Sequence, residues 1–214
     1  MYTLFYNARF FTGIGLVEGK ELLIRDDRIE GFADPGSVSA DARRIDCGGN
    51  LVVSGLIDLQ IAGGGGYLFS SHPTPGALDT IIRSIVSTGT TGFLLALPTN
   101  SREVYTAAFR TVSGCAHPAV MGLHMEGPFI SNARRGAHVP ELIMMPTPEN
   151  VSSLLDEAGS TIRMMTVAPE ICTPEVIALL RERGVTVAAG HSNATFREAM
   201  AGFEMGIETT THLF

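Results

Sequence analysis

GLHMEGPF, residues 122–129, places a histidine and a glutamate two apart at the end of an apolar run, then turns sharply at Gly127 and Pro128. In a β-strand, side chains two apart point to the same face. His124 and Glu126 therefore share a face, and Glu126 stands where the strand ends. In α/β folds the carboxyl ends of parallel strands form the functional face.

The same grammar extends in both directions. Apolar strand-like runs occur at 56–61 (LIDLQI), 91–97 (TGFLLAL), 119–125 (AVMGLHM), 162–168 (IRMMTVA), 185–190 (VTVAAG) and 207–211 (IETTT). Amphipathic segments near 76–88, 101–113, 148–158, 174–183 and 194–205 separate them, several opened by helix-start residues: Ser101, Thr147-Pro148 and Thr173-Pro174. Continuous apolar runs read as strands buried on both faces. Their alternation with helices predicts an α/β fold with a parallel sheet and right-handed crossovers over residues 56–214. Residues 1–55 are β-rich, with a hairpin turn expected at Asp26-Asp27. The longest irregular stretch is 127–146, rich in Gly, Pro, Asn and Arg.

The totals narrow the function classes. The 214 residues suffice for one large domain, or a domain with a small annex. Formal charge is −7, and the basic residues, one lysine and fourteen arginines, form no runs. That argues against nucleic acid and against an anionic membrane surface as partners. The three cysteines are scattered without a CxxC, which fits a reduced cytoplasmic setting. The first residues lack the pattern of a signal peptide, and no apolar run approaches the ~20 residues of a membrane span.

Three potential ligands follow three separate strands: Glu126, His191 in AAGHSNAT and His212 in TTTHLF. One carboxylate and two imidazoles form a set that Zn²⁺ or Fe²⁺ accepts, with positions left for water and substrate. The alternative is that each is an isolated polar strand end or helix cap. His124 fits a supporting, hydrogen-bonding role, with ligation as the alternative. The glycine loop IAGGGGY (61–67) is either a tight turn or a phosphate cradle. Arg134 and Arg135 are either solvated charges or attractors of an anionic substrate.

The motifs GLIDLQIAGGGG, GTTGFLLALPTN, GLHMEGPFI with RRGAH, AAGHSNAT and THLF occur in order along the chain. Together they resemble the N-acetylglucosamine-6-phosphate deacetylases of the amidohydrolase superfamily. The resemblance implies a metal-dependent (β/α)8 TIM-type barrel, present here as about six strand–helix units over 56–214, with 1–55 forming part of a small β-sandwich. It implies removal of acetate from the 2-acetamido group of the sugar phosphate, in amino-sugar catabolism. Glu126, His191 and His212 are then the metal ligands, with zinc preferred to iron. His138 and Ala137 lie against the substrate. A homodimer of the complete protein and a small-molecule sugar-phosphate partner also follow from the resemblance.

Two departures bear on mechanism. Many amidohydrolases carry HxH after the first strand; here Gln60 and Ala62 stand there, and the sole lysine, Lys20, lies in the β-rich segment. One divalent metal ion is therefore expected, with Gln60 either lining the substrate site or bonding at the strand end. The family also places a general-base aspartate on an eighth strand, beyond Phe214; Asp58 is expected to be structural. Residues 1–214 expressed alone are accordingly expected to bind metal weakly and to show no useful deacetylase activity. A different amidohydrolase, or a chain that binds metal or sugar phosphate without turnover, are the alternatives.

Overall fold

The computed structural model describes residues 1–213. The chain divides into two compact units, Met1–Gly55 and Leu56–Phe214.

The first unit contains seven short strands: β1 (Tyr2–Tyr6), β2 (Arg9–Phe11), β3 (Leu16–Val17), β4 (Glu21–Arg25), β5 (Arg28–Ala33), β6 (Arg43–Asp46) and β7 (Leu51–Val53). They form a four-stranded sheet in the order β5-β4-β1-β6 and a three-stranded sheet in the order β3-β2-β7. The β4–β5 hairpin turns at Asp26 and Asp27, with Asp26 at φ 55°, a left-handed conformation that a short polar side chain tolerates. Phe10 and Phe32 bring the two sheets together, with ring centroids 5.4 Å apart.

The second unit runs β8 (Leu56–Ile61), β9 (Gly63–Gly64), β10 (Tyr67–Leu68), α1 (Pro75–Val86), β11 (Thr90–Pro98), α2 (Arg102–Ser113), β12 (Val120–Glu126), α3 (Pro148–Ala158), β13 (Ile162–Val167), α4 (Pro174–Glu182), β14 (Thr186–Ala189), α5 (Phe196–Met205) and β15 (Thr209–Thr210). Thr74, Thr147 and Thr173 each accept a hydrogen bond from a first-turn backbone N–H, with proline opening the helix. Thr195 and Glu198 complete a capping box on α5. Ser101, expected to cap α2, makes no such side-chain bond. The irregular stretch 127–146 contains two short 3₁₀ turns, Asn132–Arg134 and Pro140–Leu142.

Six strands form one parallel sheet in the order β15-β14-β13-β12-β11-β8. If flat, its two edges would lie roughly 24 Å apart, five strand spacings. Yet Gln60 on β8 and His212 just past β15 place side-chain nitrogens 3.5 Å apart. His124 on β12 likewise hydrogen-bonds the Leu59 carbonyl on β8, skipping β11. Only a sheet curled into a partial barrel allows both contacts. The helices cover its convex face, where Phe93, Leu95, Leu97, Leu123, Met125, Met165, Val167 and Val187 are packed in the main core. Gly122 lies beside register shifts in the pairing of β12 with both neighbours, at φ 135°. A bulge of this kind re-aims the following residues, and beyond it Leu123 and Met125 pack in the core while His124 and Glu126 face the hollow.

Two expectations need correction. The first barrel strand is not buried on both faces: Leu56 and Ile57 are 59% and 62% exposed, because β8 is an edge of the sheet among the described residues. The last strand is shorter than 207–211, covering only Thr209–Thr210. Ile207 instead donates its N–H to the Gly202 carbonyl and closes the end of α5.

Phe93 is fully buried between sheet and helices, whereas Phe196 at the start of α5 is 82% exposed. Phe93→Ala is expected to cost about 3–5 kcal/mol of stability in chemical denaturation, and Phe196→Ala to stay within about 0.5 kcal/mol of the wild type.

Candidate metal centre

The concave carboxyl end of the sheet gathers polar groups around one oxygen. Glu126 Oε1 accepts a hydrogen bond from the Gln60 side-chain amide at 2.6 Å, and His212 Nε2 lies 2.9 Å away. His191 Nε2 stands at 3.6 Å, an ion-pair distance too long for a hydrogen bond. The ligand atoms of Glu126, His191 and His212 all lie within 4.8 Å of one another. Glu126 and His191 are largely enclosed, with side chains 12% and 14% exposed, whereas His212 is 52% exposed.

Tautomers follow from the partners. The Arg134 carbonyl, 3.3 Å from His191 Nδ1, can only accept, so Nδ1 carries a proton. In the neutral ring, Nε2 then offers a bare lone pair toward Glu126; when protonated, the same nitrogen faces the carboxylate as a cation, and the carboxylate raises its pKa. That nitrogen is buried and has no hydrogen-bond partner among the described residues. An orphaned buried acceptor beside a carboxylate and a second imidazole fits a divalent cation. The backbone is committed to the arrangement as well: His191 and His212 sit at φ 47° and 54°, in the left-handed region that non-glycine residues seldom occupy.

His124 is fully buried and differs from the other two histidines. Its Nδ1–H donates to the Leu59 carbonyl at 2.9 Å, so Nε2 accepts from the Thr166 hydroxyl at 2.7 Å. Both ring nitrogens are thus occupied within the protein. Thr166 Oγ1 in turn lies 3.3 Å from Thr211 Oγ1, one residue before His212. Burial depresses the His124 pKa, which keeps the ring neutral.

His138, buried in the irregular stretch, receives the Thr99 backbone N–H at Nδ1, 3.2 Å away. An amide is an obligate donor, so Nε2 carries the proton and is available to donate. Burial, with the charge of His191 nearby, lowers its pKa. Its ring meets that of His191 edge-on, with centroids 4.5 Å apart. Ala137 beside it is exposed, and Asp58 Oδ1 accepts the backbone N–H of Gln60 at 2.9 Å. The Arg134 guanidinium binds the Asn193 side chain through Nε at 3.2 Å, and Arg135 Nε is buried without a partner among the described residues. Gly63 and Gly64 of the glycine loop pair with Tyr67 and Leu68 in a tight hairpin.

Thr99, Thr166, Thr211 and Glu170 are the participants not singled out from sequence. Thr166 was visible as a polar residue in the buried half of IRMMTV, and Glu170 as a carboxylate just after a strand end.

Electrostatics and sterics each give a test. Burial pushes the Glu126 carboxyl up, but His191 and His212, with further attraction from His124, outweigh it and bring it from 4.5 to about 2. A carboxyl depressed on folding contributes stability that is present above its unfolded pKa and lost as pH falls through the folded one. The stability advantage of metal-free wild type over Glu126→Gln should therefore shrink as pH drops from about 4.5 to about 2, read as the melting-temperature difference. Separately, a Cβ on Gly190 would fall 2.1 Å from Thr211 Oγ1 and 2.7 Å from Thr166 Cγ2. Gly190→Ala should cost about 1–3 kcal/mol by denaturation and weaken metal binding by displacing the turns that carry both histidines.

Comparison with known proteins gives a consistent answer. No family model matches the chain. It is 36% identical to human N-acetylglucosamine-6-phosphate deacetylase over 220 residues, 95% of this chain and 54% of that protein. It is 33% identical to N-acetylgalactosamine-6-phosphate deacetylase of Shewanella sp. (strain ANA-3) over 213 residues, 97% of this chain and 54% of that one. Among solved structures, N-acetylglucosamine-6-phosphate deacetylase from Pasteurella multocida superimposes with TM-score 0.90 at 30% identity, covering 98% of this chain and 56% of its own. Along nearly its whole length the chain is thus similar to the N-acetylglucosamine-6-phosphate deacetylases, and it spans about half the length of the curated relatives it matches.

Proposed function

We propose that the protein is a metal-dependent hydrolase that removes acetate from N-acetylglucosamine 6-phosphate, leaving glucosamine 6-phosphate. The observation that carries this reading is the convergence of Glu126, His191 and His212 at one strand-end site, in a chain similar throughout to deacetylases of that name. The partial barrel is read as part of a (β/α)8 barrel, and the two small sheets of the first unit as part of a β-sandwich. The substrate is a small sugar phosphate. A cytoplasmic location and a homodimer are further parts of the proposal; no helix among the described residues is long and apolar enough to cross a membrane.

Glu126, His191 and His212 would hold one divalent ion, zinc in preference to iron, since one carboxylate and two imidazoles leave positions open. Such an ion, when bound, supplies Lewis-acid polarisation of an amide carbonyl and makes water acidic enough to attack near neutral pH. The chain's own residues prepare the rest. Glu126 anchors the site, and its depressed pKa keeps it anionic at neutral pH. The Gln60 amide holds Glu126 Oε1 and stands where a second metal would require a histidine. His124, bonded at both nitrogens, fixes β12 against β8 and β13. His138, with its proton on Nε2 in the neutral ring, would hold a sugar oxygen beside Ala137. Taking a proton from water and returning it to the leaving amine requires a general base, which the resemblance assigns to an aspartate outside this sequence.

A second substrate is favoured by one specific observation, the similarity to the Shewanella N-acetylgalactosamine-6-phosphate deacetylase. The two sugars differ in configuration at one hydroxyl-bearing carbon. A site built to bond that hydroxyl discriminates strongly.

The decisive assay measures acetate release from both sugar phosphates by the protein as its gene encodes it, with metal content measured in parallel. The glucosamine derivative should be the better substrate. Metal-free protein should regain full activity at one equivalent of metal, and Glu126→Gln should lose metal and at least 100-fold in turnover. A requirement for two equivalents would contradict the role given to Gln60, and no acetate release from either sugar would contradict the reading as a whole.

A further inference from the structure

Glu170 lies in a 3₁₀ turn, Pro169–Ile171, immediately after β13. It is not among the groups that could hold the ion, yet both of its carboxylate oxygens are committed to the loop that carries His191. Oε2 accepts the Ser192 hydroxyl at 2.6 Å, and Oε1 accepts the Asn193 backbone N–H at 2.6 Å. Short bonds to an ionised acceptor are roughly twice as strong as neutral ones.

The same loop is held from its other side. The Ser131 N–H donates to the His191 carbonyl at 2.9 Å. Arg134 accepts His191 Nδ1–H at its carbonyl and returns its guanidinium to the Asn193 side chain. Downstream, α5 is pressed onto the same 3₁₀ turn: a Cβ on Gly202 would lie 2.7 Å from Pro169 Cβ. Between these anchors His191 adopts its left-handed φ of 47°. Left-handed backbone is unfavourable for a residue with a side chain and persists where surroundings over-determine it. Of the bonds that do so here, the two on the C-terminal side of His191, from Ser192 and the Asn193 N–H, both end on Glu170.

We infer that Glu170 is a positioning residue: its bidentate grip on Ser192 and Asn193 sets the backbone of His191 and so aims Nε2 at Glu126. The inference rests on the reading of Glu126, His191 and His212 as metal ligands. Glu170 touches neither metal nor substrate in this scheme. Its effect passes through loop geometry, so its removal alters how tightly the ion is held before it alters the reaction.

Glutamine at 170 keeps one oxygen acceptor but presents an N–H₂ where a second acceptor is needed, so at least one loop bond is lost. The experiment compares wild type, Glu170→Gln, Ser192→Ala and His191→Asn by two readouts. The first is zinc affinity by competition with a chelator. The second is hydrogen exchange of the backbone amides of 191–194 in metal-free protein, with β1 as internal control. Glu170→Gln should weaken zinc about 10–100-fold, the range for groups that orient a ligand, and should speed exchange in 191–194 while β1 is unchanged. Ser192→Ala, which deletes one of the two bonds without touching the carboxylate, should move both readouts in the same direction by less, and it serves if Glu170→Gln does not fold. A residue of merely structural importance would lower the melting temperature and leave the affinity of the folded protein alone. If His191→Asn weakens zinc while Glu170→Gln and Ser192→Ala hold it within twofold of wild type, the role of Glu170 is refuted and the metal reading stands. If His191→Asn leaves zinc affinity unchanged, the metal reading fails and this inference with it.

Discussion

Glu126 sits mostly out of water with its charge intact, and the site is arranged to make that tolerable. Burying a carboxylate costs several kcal/mol unless partners replace its hydration. Here the partners come from both edges of the sheet: the Gln60 amide from β8, and His212 from just past β15. A flat sheet would hold those edges far apart. The curl of the sheet and the charge of Glu126 are therefore one constraint, since the curl brings the partners and the partners hold the curl closed at that end. Metal-free, the carboxylate is compensated by the Gln60 amide and the His212 imidazole. A bound cation would perform the same service more completely, and would also occupy the lone pair of His191 that has no partner.

The histidines of the concave face illustrate how partners assign roles to one residue type. His124 and Glu126 share a strand face, but His124 has a carbonyl on one nitrogen and a hydroxyl on the other. His191 has a carbonyl on Nδ1 only, which fixes its tautomer and leaves Nε2 bare. His138 is fixed the opposite way, with Nδ1 occupied by an amide donor, so that in the neutral ring the proton is on Nε2. One ring packs, one is left free to ligate and one is left free to donate.

Much of this was legible in sequence because it is local. LIDLQI and TGFLLAL could be read as strands from their apolar runs, and Thr147-Pro148 and Thr173-Pro174 as helix starts from capping chemistry. Strand-end placement alone drew Glu126, His191 and His212 to one face. What escaped depends on pairing across the hollow. Nothing in the period of IRMMTV says that Thr166 meets His124 and Thr211, and nothing in VAPEIC says that Glu170 reaches the loop after β14. The exposure of β8 escaped for a related reason: its apolar run is like that of a buried strand, and only the strand order makes it an edge.

The central claim is that a single ion is shared by Glu126, His191 and His212. X-ray absorption on protein loaded with one equivalent of zinc tests it most directly, because imidazole rings leave a characteristic multiple-scattering pattern. The account predicts oxygen and nitrogen donors at about 2.0–2.2 Å with two imidazoles in the shell, falling to one in His191→Asn. A shell without imidazole, or one unchanged by His191→Asn, would contradict it.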